Sequence, residues 1–319
     1  MKYITNLFII FVFLTFSGCK SNEEELVNKY FFEMGTIVHV AIEASKEEEY
    51  YKIVTFIKEL TNKINNDQIK IGESRAGSKV SVSDEFIELY QYASKYYKMS
   101  NGIYDPTSIT VSREYGFPDK PLSMPSQEAL DKAKKAAGFE NIKLEDGFII
   151  KYADTYIDVS ANSKGYIVDK TVEYMKEEGF KNFIVSAGGD LYTQGMKYGK
   201  LPYTISIEDP DKKGSAAEII KLSNKAVATS GNYERYFITS DNKRITHIFS
   251  GVSFEPCNNY KSVSVIADTT EQADAYATLY FLSDIAEIKK YCNLNKTPVF
   301  IITLDNKRVK LCQWEEYER

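Results

Sequence analysis

The stretch "SVSVIADTTEQADAYATLYFL", residues 262–282, holds two kinds of local structure back to back. Its first half is rich in β-branched residues and reads as a strand. From residue 271 onward it turns small, aromatic and aliphatic, the composition of a buried helix. Within that helix Asp274 and Thr278 stand four residues apart and so share one face. A carboxylate buried there is costly unless something pairs with it. Two readings stay open at this point: oxygen ligands for a metal ion, or a structural Asp paired with an Arg beside a Thr that bonds back to its own helix.

Outward from this point the chain keeps mixing the two kinds of element. "YFFEMGTIVHVAIEA", "FIVSAGGD", "PYTISIEDP" and "TPVFIITLD" read as strands, and "GFIIKYADTYIDVS" as a hairpin pair. Helical stretches begin near Ser45, as candidate N-cap, in "SVSDEFIELYQYASKYYKMSNG", at Ser126 and in "SKGYIVDKTVEYMKEEGFKN". There is no strict strand–helix–strand alternation, so the expected class is α+β rather than a doubly wound parallel sheet. No repeat and no low-complexity linker divides the chain.

The 319 residues suffice for one large domain. The net charge is −5, which gives no basic footprint for nucleic acid, and no nucleic-acid partner is expected. The N-terminus carries one Lys, an apolar run from Leu7 to Phe16, and then Ser17-Gly18-Cys19. That is the order of a signal peptide, and the run is short for a membrane span. Cys19 after Ser-Gly resembles a lipobox, in which the Cys is lipidated; an ordinary cleaved signal with a chance Cys is the alternative. Residues 1–18 are thus expected as a lipoprotein signal peptide, 19–30 as a polar tether and 31–319 as the working domain. The mature protein would be lipid-anchored to a bacterial membrane, facing the periplasm or the cell exterior. Cys257, Cys292 and Cys312 form no zinc pattern, and their pairing is not legible.

Further motifs bear on chemistry. Gly188 and Gly189 end a strand and allow close backbone approach. "IDVSANSKGYIVDK" places Asp158 at a strand end and Lys164 in a small-residue turn at a helix start, which suits a phosphate; a solvated Lys beside an N-cap fits the same residues. Asp105 before Pro106 marks a turn. His39 and His247 are the only histidines and lie far apart, so a two-His zinc site is poorly supported. The polar residues available are hard oxygen donors, which suit Mg²⁺.

Taken in order, "FEMGT", "NGIYDPT", "IDVSANSKGYIVDK", "VSAGGD", "VATSGNYERYF", "THIFSG" and "SVSVIADTTEQADAYATLYFL" resemble the ApbE family of FAD:protein FMN transferases. The resemblance implies a T-fold-like α+β core of mixed sheets and helices with a flavin site between lobes. It implies Mg²⁺-dependent cleavage of FAD, attachment of FMN to a Thr or Ser hydroxyl of an acceptor protein, and release of AMP. By the same resemblance Met34, Tyr104, Asp105, Asp158, Lys164 and Ile248 border FAD. The metal would be held by the Ala161 carbonyl, Asp274 and Thr278, with a carbonyl from Ala277. Asp158 or Asp274 would take the acceptor proton. The chain departs from the family pattern at Asn162 and Ser163, lacks an Asp-Pro after His247-Ile248, and lacks a Tyr in residues 66–78 for stacking on the flavin. Hydrolysis of FAD to FMN and AMP, a non-catalytic FAD-binding lipoprotein and an unrelated surface-binding lipoprotein are the competing expectations.

Overall fold

The computed structural model describes residues 25–118 and 120–318. Fifteen strands are assigned there: β1 (Leu26–Glu33), β2 (Thr36–Glu43), β3 (Lys79–Ser81), β4 (Ile142–Glu145), β5 (Phe148–Lys151), β6 (Phe183–Ala187), β7 (Asp190–Gln194), β8 (Tyr203–Glu208), β9 (Ala216–Leu222), β10 (Lys225–Gly231), β11 (Tyr236–Ile238), β12 (Arg244–Thr246), β13 (Tyr260–Ala267), β14 (Val299–Thr303) and β15 (Arg308–Leu311). The α-helices are α1 (Tyr50–Glu73), α2 (Asp84–Met99), α3 (Ile109–Ser112), α4 (Gln127–Ala136), α5 (Ser160–Glu177), α6 (Thr270–Leu282) and α7 (Ile285–Asn295). The class is α+β, as the mixed pattern predicts. Eight strands form one sheet in the order β1-β2-β6-β7-β10-β13-β14-β15, with antiparallel neighbours throughout.

Period-two alternation decides what covers each face of this sheet. Val263, Val265, Ala226, Ala228, Val299 and Ile301 point to one side, where they pack with the buried residues of α5 and α6. Ile266, Val227, Phe300 and Ile302 point to the other, against Ile207, Ile220 and Leu222 of the β8–β9 hairpin and Trp314. A third cluster joins Val111, Tyr115, Phe117, Ala133 and Ala137 to Ile245 and Phe249, and makes a separate small lobe.

Helix starts follow the expected chemistry where the cap is local. Ser83 accepts from the Phe86 amide, Ser126 from Ala129 and Thr269 from Gln272. Several expectations need correction. The tether ends before residue 26, because residues 26–30 pair with β2 as the first strand of a hairpin. "YFFEMGTIVHVAIEA" is two strands around a Met34-Gly35 turn, and both turn residues have positive φ. The second half of "GFIIKYADTYIDVS" forms no strand; β5 pairs instead with β3 and β4, and Asp158 lies in the loop before α5. Ser45 falls inside a 3₁₀ turn and caps nothing at α1, which starts at Tyr50. His39 stacks on Tyr30 at 4.6 Å and meets Asn28 Oδ1 at 2.8 Å near the sheet edge. Cys292 and Cys312 form a disulfide between α7 and the region just after β15, and Cys257 is free. Cys19 lies outside the described residues.

Candidate active site

A cavity of about 1030 Å³ opens between the large sheet, α1, α5, α6, the β8 strand and the small lobe. That is the upper end of small-molecule sites, large enough for a dinucleotide. One wall is the start of α5. Val159 makes no side-chain cap there; the Ser160 amide is taken by Asp158 Oδ1 at 2.8 Å, and the Asn162 and Ser163 amides by the Val159 carbonyl at 3.1 and 2.8 Å. Ser160, Ala161, Ser163 and Lys164 all line the cavity. A helix start with oriented amides and a cation favours an anion.

α6 brings the opposite charge to the same wall. Gly165 is the reason it can approach: a Cβ there would lie 2.4 Å from the Thr270 carbonyl oxygen and 2.7 Å from the Glu271 backbone. This close packing lets the Gly165 amide donate to Asp274 Oδ2 at 3.1 Å. Lys164 Nζ stands 3.6 Å from the same oxygen and 3.1 Å from Asp190 Oδ2. Asp190 Oδ1 in turn accepts from the Thr229 amide. Burial disfavours the charged ammonium of Lys164, but Asp190 and Asp274 outweigh it and raise its pKa. Burial also drives the Asp274 carboxyl well above the ordinary range, against the pull of Lys164. The structural alternative for Asp274, an Arg partner, is therefore not what the fold supplies; its partner is Lys164.

Thr278 lies on the same face one turn on, and its Oγ1 is 3.1 Å from Ser230 Oγ. Asp274, Thr278, Ser230 and Ala161 all line the cavity. This donor set fits Mg²⁺ better than zinc. Among the described residues no three His, Cys, Asp or Glu side chains gather as a metal cluster. A single carboxylate with hydroxyl and carbonyl oxygens leaves positions for substrate phosphates, as magnesium sites commonly do. The Tyr104 hydroxyl, buried at the cavity wall, has no hydrogen-bond partner of its own among the described residues.

The remaining expected residues divide. Met34, Tyr104, Asp158, Ile248 and Lys164 line the cavity. Asp105 does too, but both of its oxygens are used internally: Oδ1 accepts from the Thr107 amide and hydroxyl, Oδ2 from the Phe139 amide. Burial nevertheless pushes its carboxyl up to about 6. Asp105 therefore shapes the loop that carries Tyr104. Ala277 is buried inside α6 and does not reach the cavity. Asn162, at one departure from the family pattern, points away from the cavity to Glu271 Oε1. No Tyr replaces the stacking residue in 66–78, where Gln68 lines the wall.

Among the lining residues that the sequence reading did not assign to the site are Asp190, Glu234, Arg235 and His247. Only Asp190 had a signal, an acid immediately after two glycines in "GGD". Burial raises the Glu234 carboxyl to about 7, opposed by Lys164. Burial lowers His247 to about 4; its hydrogen bond to the Arg235 carbonyl works against that, and the Arg235 and Lys164 cations add to it. His247 Nδ1 faces the Arg235 carbonyl at 3.1 Å, which assigns the proton to Nδ1 and leaves Nε2 as an acceptor.

The ApbE family model matches residues 34–301. The chain belongs to the ApbE family. It is 27% identical over 259 residues to the FAD:protein FMN transferase of Escherichia coli K12, covering 78% of this chain and 74% of that one. The FAD:protein FMN transferase of Haemophilus influenzae is 26% identical over 323 residues, covering 94% and 93%. Among solved structures, the ApbE protein of Thermotoga maritima superposes with a TM-score of 0.84 at 26% identity, covering 92% of this chain and all of that one. The flavin transferase ApbE of Vibrio cholerae shares the fold at a TM-score of 0.81 and 24% identity, over 92% and 99% of the two chains.

Proposed function

We propose that this ApbE-family chain is a FAD:protein FMN transferase that moves the FMN part of FAD onto a Thr or Ser hydroxyl of an acceptor protein and releases AMP. The observation that carries this reading is the meeting of Asp274, Thr278, Lys164 and the start of α5 on one wall of a dinucleotide-sized cavity.

The roles follow from the donor chemistry. The positive end of the α5 dipole and the Lys164 ammonium hold the pyrophosphate. Asp274, Thr278 and the Ala161 carbonyl would hold Mg²⁺, which when bound supplies charge neutralisation at the pyrophosphate oxygens. The acceptor oxygen forms a bond to the FMN-side phosphorus, the bond from that phosphorus to the bridging oxygen breaks, and AMP leaves with that oxygen. The acceptor proton needs a base. Asp274 is tied to Lys164 and Gly165, and Asp158 to Ser160. His247 is neutral near pH 7 with Nε2 free, so we assign it the proton in preference to the two carboxylates.

The test is incubation with FAD, MgCl₂ and a Thr-bearing candidate acceptor peptide, read by mass spectrometry for an FMN adduct and by chromatography for AMP. The adduct and AMP, both abolished by EDTA and by Asp274→Asn, are the expected result. FMN and AMP without adduct would establish the pyrophosphatase reading instead. Recovery of intact FAD, with FAD still raising the melting temperature, would establish a non-catalytic flavin binder.

For location we propose a lipid anchor at Cys19 that holds the protein on a bacterial membrane, facing the periplasm or the cell exterior. The Cys292–Cys312 disulfide supports an oxidising compartment. Cys19→Ser should move the protein from the membrane to the soluble fraction or stall its processing; unchanged fractionation refutes the anchor.

A further inference from the structure

We infer that the outer edge of β1 is the docking strand for the acceptor protein, which adds an extended segment to the sheet and runs its hydroxyl residue into the cavity. This rests on the transferase reading above. β1 ends the eight-stranded sheet, and among the described residues no strand pairs with its outer side. The register with β2 matches Glu33 to Thr36 and Phe32 to Ile37 across a two-residue turn. Ile37 turns its carbonyl toward the Gly188 amide on the β6 side. Its cross-strand partner Phe32 therefore turns its own amide and carbonyl the opposite way, to the free edge, and Tyr30 and Asn28 do the same by alternation. The Tyr30 carbonyl meets only the Tyr50 hydroxyl, at 3.5 Å.

One face of this edge carries an open aromatic and aliphatic patch, while Lys29 on the other face is ion-paired with Glu47. Tyr30 is 63% exposed, Phe32 71% and Ile37 63%. An eight-residue edge with exposed aromatic residues is one that proteins normally shield, unless a partner is to bind it. The edge leads directly into the site: Glu33, Met34 and Gly35, the next residues along the chain, line the cavity. A polypeptide fits this surface better than a lipid bilayer, because hydrocarbon cannot satisfy the outward amides and carbonyls. Added main-chain bonds would give affinity, and the Tyr30–Phe32–Ile37 face would select apolar side chains at alternate positions of the acceptor segment.

The full chain is tested as wild type, as Phe32→Pro and as the pair Tyr30→Lys with Phe32→Lys. Proline is tolerated where an edge amide faces outward, and it deletes one docking bond. Each protein is mixed with FAD, MgCl₂ and envelope membranes from the producing bacterium deleted for this chain. Covalent FMN fluorescence of protein bands is read on a denaturing gel. Both variants should label acceptor bands about tenfold more slowly, the size of losing one anchoring contact, while FAD raises their melting temperatures as in wild type. If either variant fails to fold, the other decides. Labelling at the wild-type rate by a folded variant overturns the proposal. So does a wild-type dimer in gel filtration that the Lys pair dissociates, which would make the edge a self-association surface. Loss of binding to phosphatidylethanolamine–phosphatidylglycerol vesicles with labelling intact would make it a membrane contact and equally overturn the proposal. If the wild type itself neither labels bands nor responds to FAD, the transferase reading has failed and the docking proposal falls with it.

Discussion

Replacing Gly165 by Ala pits two opposed effects against each other. In an exposed helix the change would stabilise by about 1 kcal/mol through helix propensity. Here the new Cβ would sit 2.4 Å from the Thr270 carbonyl oxygen and 2.7 Å from the Glu271 amide nitrogen and Cα. All three are backbone atoms, so no side chain can rotate away. Relief requires α5 and α6 to separate by ~1 Å to reach ordinary contact distance. Overpacking of this kind costs about 1–3 kcal/mol, which equals or exceeds the propensity gain. The net expectation is a loss of up to about 2 kcal/mol, seen as a fall in melting temperature of up to roughly 3 °C for a chain of this size. Activity should suffer more than stability. The same separation pulls Asp274 from the Gly165 amide, now at 3.1 Å, and from Lys164, now at 3.6 Å. A misplacement of about 1 Å in a positioned site costs on the order of 100-fold in rate. The assay is FAD turnover at saturating MgCl₂ beside a thermal melt of the metal-free protein. A Gly165→Ala variant with a higher melting temperature and wild-type turnover would refute the claim that backbone contact at this residue sets the site.

Three other changes probe independent parts of the structure. Lys164→Met leaves the buried Asp190 and Asp274 carboxylates without their shared cation; a loss of several kcal/mol is expected, together with weak FAD binding, and added Mg²⁺ should recover part of the melting temperature. A variant that melts like wild type would show that the ammonium is not their main counter-charge. Cys292→Ser with Cys312→Ser removes a cross-link 20 residues apart in sequence and should cost about 3 kcal/mol in chemical denaturation. Because neither cysteine lines the cavity, turnover at 25 °C should not change. His247, lowered to about 4 in the fold from an ordinary 6.5, stays neutral while the unfolded chain takes up a proton; it therefore makes stability fall as pH drops from about 6.5 to about 4. If Nε2 is the base, kcat/KM should hold down to about pH 5 and decline below about pH 4, and an acid limb near 6.5 in the pH–rate profile would exclude that role.

Much of the site was legible where its geometry is local. Asp274 and Thr278 share a face because four residues make about one helical turn, and that spacing holds whatever the helix packs against. The same applies to the Ser126 cap and to the turn at Asp105-Pro106, where the Asp side chain bonds two residues ahead. Asp105 also shows the limit of such reading. Its place beside the cavity was expected, but the use of its second oxygen by Phe139, 34 residues away, depends on chain packing.

By itself the sequence determined the α+β class, the helix that carries Asp274, the hard-oxygen chemistry of the donors and the family resemblance, because each rests on composition, order or spacing within one segment. Tertiary structure alone decided what Asp274 faces, since Lys164 and Gly165 reach it only through a packing of α5 on α6 that the missing Cβ of Gly165 permits. It alone placed Asp190, Glu234 and His247 in the wall and paired Cys292 with Cys312. It also turned part of an expected tether into β1, because a charged, half-apolar segment becomes a strand only when a neighbour supplies the hydrogen bonds, and here β2 does.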